Sequence, residues 1–238
     1  MDESITFIPF SRLLIIFIPV GIVTLILYSW YLEWKNYLYA IARMLGQLVM
    51  VGYSLSFIFN TNSSLIVLSI LILMVIIASW IALRILNKKR MNLLKHAFIS
   101  IILGGGTTLF IVTQSVLQLD PWYMPRYMIP LAGMIFASAM NGISLAAERL
   151  ESELDRDRDY DNAKGLALKT ALIPITNSLF AVGLVSLPGM MTGQILSSIS
   201  PLVAVRYQIM VMCMIFSSVG LSSFIFLVLI GPKKIFKN

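Results

Sequence analysis

The residues able to do chemistry in this chain are the few polar groups that interrupt long apolar runs. The most conspicuous stretch is Ser186-Leu187-Pro188-Gly189-Met190-Met191-Thr192-Gly193-Gln194, set between the runs 166–187 and 203–230. Proline lacks a backbone donor and glycine tolerates positive φ, so the pair ends a helix or forces a turn. Broken backbone at membrane depth survives only where protein buries it or a watery cavity wets it. The stretch therefore reads as part of a transport path, against the alternative of a tight turn between two spanning helices at the membrane surface. In the path reading, Gly189 and Gly193 let backbone approach cargo or a facing helix, and Gln194 offers hydrogen bonds beside Pro188. Met190 and Met191 are flexible, polarizable wall residues. On an earlier apolar run Met134, Ser138 and Asn141 follow a 4, 3 spacing that puts them on one helical face. Their polar atoms need partners in a neighbouring helix or a cavity. Arg43 and Gln47 also lie four apart on one face, where a charged group at a helix mouth either snorkels to the interface or turns inward.

Metal and phosphate chemistry are sparsely provided for. A single cysteine, Cys213, excludes an intrachain disulfide and a cysteine cluster; its apolar surroundings suggest inert packing. His96 sits beside lysines with nothing nearby to complete a coordination set. The spanning windows hold no Asp, Glu or His, so no high-affinity iron cage is visible, and thioethers such as Met134, Met140, Met190 and Met191 suit softer ions. Gly104-Gly105-Gly106-Thr107-Thr108 lacks the Gly-Lys-Ser/Thr of a phosphate loop and reads as a close-packing site between helices. The chain is expected to hold no cofactor of its own and to carry out no catalysis; any ATP chemistry belongs to another polypeptide. One long charged segment, 148–164, contains Glu148, Arg149, Glu151, Glu153, Arg156 and Arg158. Acids and bases three apart, Glu153 with Arg156 and Asp155 with Arg158, predict a solvent-exposed helical extension.

These groups must be positioned by membrane helices. Hydrophobic residues make up 58% of the chain and charged residues only 12%, against ~25% charged in soluble domains. A span needs ~20 mostly apolar residues, and seven windows qualify: 13–32, 43–60, 64–84, 97–117, 127–147, 166–187 and 205–230. The expectation is an all-α, polytopic, single-domain membrane protein over 1–238, in a plasma membrane. Pro9 and Pro19 are expected to kink the first helix, and its acidic start lacks the basic region of a cleaved signal peptide. The net charge of +7 is topology rather than a nucleic-acid surface. With the N-terminus outside and seven spans, 15 of 18 basic residues fall on the cytoplasmic side, leaving only Arg12, Arg126 and Arg206, and the C-terminus is inside. Residues 30–39, rich in Trp and Tyr, read as an interfacial cuff, 60–64 and 120–126 as external turns, and 84–90 as a stop-transfer patch meeting anionic lipid.

Gly183-Leu184-Val185-Ser186-Leu187-Pro188-Gly189-Met190-Met191-Thr192-Gly193-Gln194-Ile195-Leu196, with Ser200-Pro201-Leu202 and 205–212, resembles the FetB-type permeases. These are membrane subunits of ABC transporters linked to iron export, with plant relatives acting in aluminium tolerance. The likeness extends to Arg43-Met44-Leu45-Gly46-Gln47-Leu48, Pro130-Leu131-Ala132-Gly133-Met134-Ile135 and Ala171-Leu172-Ile173-Pro174. It implies a permease working as a homodimer in the bacterial inner membrane with a soluble ABC ATPase, with Arg43 and Gln47 facing the bundle interior. It also implies that 148–164 couples to that ATPase. The chain departs from the family at Ala137-Ser138, where Gly-Asn is usual, and in passing almost directly from Asp161 to Lys169, where a dozen or so family residues are missing. The departures favour an alternative: a facilitative carrier without ATP, or a degenerate paralogue acting as a membrane scaffold.

Overall fold

A computed structural model describes residues 8–60 and 63–231. The acidic start, Thr61 and Asn62 of the expected external turn, and the basic stretch from Lys233 to Lys237 lie outside the described residues. Two compact units divide the chain, residues 1–61 and 62–238.

The first unit is a pair of helices, α1 (Ser11–Ser29) and α2 (Trp34–Ile58). A single 3-10 turn, Leu14–Ile16, interrupts α1 before Pro19, which falls in the first turn of the resumed helix, where its missing N–H costs nothing. None of the residues in either apolar span is buried, as befits helices whose side chains look into lipid. The helix α2 begins nine residues before the expected window, so the aromatic cuff is largely its first turns. Tyr28 meets Trp34 edge to face at 5.8 Å, and Lys35 lies 5.7 Å from the Trp34 ring, a geometry suited to the headgroup layer.

The second unit is a helical bundle of α3 (Ser64–Ala82), α4 (Arg90–Val116), α5 (Pro125–Leu154), α6 (Tyr160–Ala181), α7 (Gly189–Leu196) and α8 (Pro201–Ile230). Between α3 and α4, Arg90 stacks 3.4 Å from the Trp80 ring centroid and its Nε donates to the Trp80 carbonyl at 3.0 Å. The cation thus satisfies an orphan carbonyl near the end of α3. Two π-helical stretches, Ile101–Gly106 and Ile111–Val116, lie within α4.

Small residues set how closely the helices pack, as the glycine triplet led us to expect. A Cβ on Gly104 would stand 2.5 Å from the backbone nitrogen of Ser222, and one on Gly142 2.7 Å from the Ser223 hydroxyl. Gly105 packs on Ile135 and Phe136, whereas Gly106 faces open space. The Ser218 hydroxyl crosses from α8 to donate to the Ile135 carbonyl on α5 at 2.8 Å. Around these contacts Ile135, Ile143, Leu150, Phe226 and Ile230 are fully or almost fully buried. Burial of a side chain of this size is worth roughly 1.5–3 kcal/mol relative to exposure in water.

Among the described residues six helices are long and apolar enough to cross a membrane: α1, α2, α3, α4, α5 and α8. The helix α6 is not among them, yet it runs antiparallel along α8. Its first residue, Tyr160, donates its hydroxyl to the Leu227 carbonyl. Leu172 packs at Gly220, and Ile175 clusters with Met212 and Val219. This helix both starts and stops six residues earlier than the window 166–187. The Asp159 carboxylate caps it by accepting the Asp161 N–H at 3.1 Å. At the other end Gly183 adopts φ +82, a conformation that favours glycine. The Ala181 carbonyl there accepts from Leu184, Val185 and Ser186.

Candidate functional site

The broken segment between α6 and α8 is real, but Pro188 does not end a helix; it opens one. Pro188 is the N-cap of α7, eight residues long, and Gly183 makes the actual break. A turn at Ser198 (φ 63) and then Pro201 at the start of α8 close the segment. It sits at the end of the bundle where α5 and α8 begin, opposite the α5–α6 turn.

Two cavities flank α7. The first, about 370 Å³, is bounded by Arg126, Tyr127 and Met134 of α5, Met190 and Gln194 of α7, and Tyr207 of α8. The side-chain oxygen of Gln194 is itself shielded by protein and has no hydrogen-bond partner. The second, about 360 Å³, lies toward α6 and holds Met191, Leu187, Gln208, Met212 and Cys213. One turn of helix thus sends Met190 and Gln194, four apart, to one side and Met191 to the other.

The placement of the anticipated residues is uneven. Met134, Met190 and Gln194 come together from two helices. Ser138 and Asn141 lie one and two turns further along α5, outside this cavity, with Asn141 exposed. Gly189 and Gly193 do not serve close packing within the chain: an added Cβ at either meets nothing within 4 Å. Half-buried Thr192 turns its hydroxyl back onto the Pro188 carbonyl at 3.2 Å, as helical Thr commonly does. Arg43 and Gln47 stand exposed on α2 in the first unit.

Two residues behave differently from expectation, and a third carried none. Cys213 is exposed and borders the second cavity instead of packing in the core. Arg126 belongs to α5 and borders the first cavity instead of an external loop. Gln208 was not singled out, although it is only 5% exposed and its amide oxygen has no partner. An amide within the 30-residue apolar α8 is itself the signal that could have found it.

At the far end, the charged segment is a helix–turn–helix tip. Glu153 is fully buried rather than solvated. Arg149 Nη2 lies 2.6 Å from its carboxylate, Arg158 Nε 2.8 Å and Arg156 Nη1 3.9 Å. The guanidinium N–H groups are poorly aligned on the carboxylate oxygens, so charge more than directed hydrogen bonding holds them. The expected Asp155–Arg158 pair gives way to this arrangement. Asp157 takes φ 56 and reverses the chain, which carries Arg158 back over Glu153. Asp155 and Glu148 remain exposed and Glu151 is half-buried.

Among the described residues no three of His, Cys, Asp and Glu group where they could hold a metal ion. The sequence comparison settles the family. The profile of UPF0014, described as an uncharacterised protein family, matches residues 10–164 and 161–236. The chain belongs to the UPF0014 family. Its two matched stretches overlap at 161–164. A UPF0014 membrane protein of Synechocystis is 36% identical over 203 residues, 78% of each chain. A protein of Escherichia coli named "Probable iron export permease protein FetB" is 33% identical over 80% of this chain and 78% of its own. Arabidopsis "Protein ALUMINUM SENSITIVE 3" is 31% identical over 78% of this chain and 72% of its own. No solved structure matches the chain.

Proposed function

We propose that this UPF0014 protein is the membrane permease subunit of an ABC-type exporter of iron or another metal, driven by a separate soluble ATPase and working as a pair of permease chains. The observation that carries the reading is the cavity where α5 and the broken segment bring Met134, Met190 and Gln194 together. Similarity to the E. coli protein named as an iron export permease gives the cargo class. Thioether and amide oxygen are weak ligands for iron, and weak, brief contact suits a path that must release its cargo. In this reading α6 is a seventh crossing, the cavity opens outside the cell and the α5–α6 tip meets the ATPase inside. The cluster around Glu153 gives that tip a fixed shape against which a nucleotide-driven partner can push.

The test is to co-express the chain with a soluble ABC ATPase, reconstitute both in vesicles and follow iron(II) movement under ATP. Gly189→Leu fills open space next to Met190, so it is expected to abolish transport while the protein still folds and retains the ATPase. Transport that proceeds without ATP would identify a facilitative carrier. No ATPase recovery and no transport would leave a scaffold and overturn the proposal.

A further inference from the structure

The cavity beside α7 has a positive charge character that favours an anionic form of its cargo over a bare metal cation. Arg126 is its one charged lining residue, and no carboxylate borders it. Among the described residues, no carboxylate lies within ion-pair distance of Arg126. The other polar lining residues are Tyr127, Tyr207 and Gln194, whose amide oxygen is buried without a partner. Met134 and Met190 complete an apolar wall. The guanidinium repels a naked cation, and together with the two phenols, which can donate or accept, it can bind an oxyanion. The Gln194 amide borders the cavity and, once its oxygen turns toward it, can accept from a ligand donor such as a hydroxyl.

We propose that this cavity binds a hydroxycarboxylate anion, with a carboxylate on Arg126 and the ligand hydroxyl donating to Gln194, so that exported metal leaves as an anionic hydroxycarboxylate complex. The proposal deepens the export reading and rests on it for the ligand's role, but the binding site stands on the lining alone. Hydroxycarboxylates chelate hard and borderline metal ions through oxygen. That chemistry supplies the oxygen ligands which the protein itself lacks at this point. Arg126 then recognises the complex by its free carboxylate, with no protein carboxylate needed on the metal.

The test uses the full-length chain, without an ATPase, in phosphate-free maltoside detergent and in phosphatidylcholine discs, titrated calorimetrically with citrate. Tricarballylate, which is citrate without its hydroxyl, is the comparator. The unmodified protein is expected to bind citrate saturably in both settings and tricarballylate more weakly. R126Q should lose about tenfold or more in citrate affinity, the scale of one charge-assisted contact. R126K should keep most of it. In Q194L the preference for citrate over tricarballylate should vanish. Arg126 is exposed on the helix surface, so R126Q is expected to retain its helical content and elution volume. Equal citrate binding by R126Q, or no saturable binding by folded protein, overturns the proposal. So does Arg126-dependent retention of phospholipid in native mass spectra together with loss of citrate binding in discs, because the oxyanion would then be a lipid phosphate. Citrate binding without metal export would overturn the export reading alone, and export without binding would overturn only this site.

Discussion

Glu153 keeps its carboxylate out of water while its three arginines remain partly wet, with side chains 36%, 64% and 51% exposed for Arg149, Arg156 and Arg158. That asymmetry decides which change hurts. Glu153→Gln releases guanidiniums that can turn to solvent, so the cost should be about 1–3 kcal/mol, below the usual range for breaking a buried pair. Replacing Arg149 and Arg158 together by Met strands a buried carboxylate, and about 3–5 kcal/mol is the appropriate scale. Denaturant unfolding in detergent, followed by helical circular dichroism, should rank the double variant below Glu153→Gln. The opposite order would mean that the carboxylate reaches water. Arg156 makes only the long 3.9 Å contact. Arg156→Glu should therefore leave stability within about 1 kcal/mol yet reduce recovery of a co-expressed ATPase, if the tip is the docking point. Unchanged recovery on pull-down would remove that role. The sequence spacing made the Glu153–Arg156 pairing legible. It did not reveal the burial of Glu153, because a positive φ at Asp157 folds Arg158 back in a way that helical periodicity does not encode.

At the scale of elements, the break between α6 and α8 was legible because Pro and Gly stand out in apolar sequence. Its position was not. The Pro188-Gly189 pair drew attention, but Gly183 ends the helical run and Pro188 begins the next one. The grouping of Met134 with Met190 and Gln194 depends on how α7 lies against α5, which neither helix encodes by itself. The glycine triplet is a similar case: composition announces close packing, and only the neighbours say which glycine matters. Gly104→Ala puts a methyl into the backbone of Ser222 and should destabilise by about 1–3 kcal/mol. Gly106→Ala meets nothing and should be neutral or stabilising by up to about 1 kcal/mol, from alanine's helix propensity. Thermal melting of the two variants side by side reads the difference. Equal loss in both would show that the triplet serves flexibility of α4 rather than its contact with α8.

Across the whole molecule the number of bilayer crossings turns on α6. Among the described residues six helices qualify by length and hydropathy, whereas the sequence led to an expectation of seven crossings, which would put 15 of 18 basic residues on one side. The difference is α6, whose polar residues Asn162, Lys164, Lys169, Thr170 and Asn177 dilute its apolar character. Packing argues for its crossing. Tyr160 reaches Leu227 near one end of α8, and Ile175 reaches Met212 nearer the other. Twenty-two residues of α-helix span about 33 Å, enough for a hydrocarbon core of about 30 Å. Since α5 and α8 run in the same direction, a return between them is expected, and α6 is the long helix that lies there. Dual reporter fusions placed after Asp157 and after Ser198 should therefore report opposite compartments, with Asp157 in the cytoplasm and Ser198 outside. A fusion after Asp120 should agree with Ser198, because α5 separates Asp120 from the α5–α6 tip. If Asp157 and Ser198 report the same compartment, α6 lies within one leaflet or on the surface. The first cavity would then lose its assignment to the outer face, and the coupling role of the tip would fall with it.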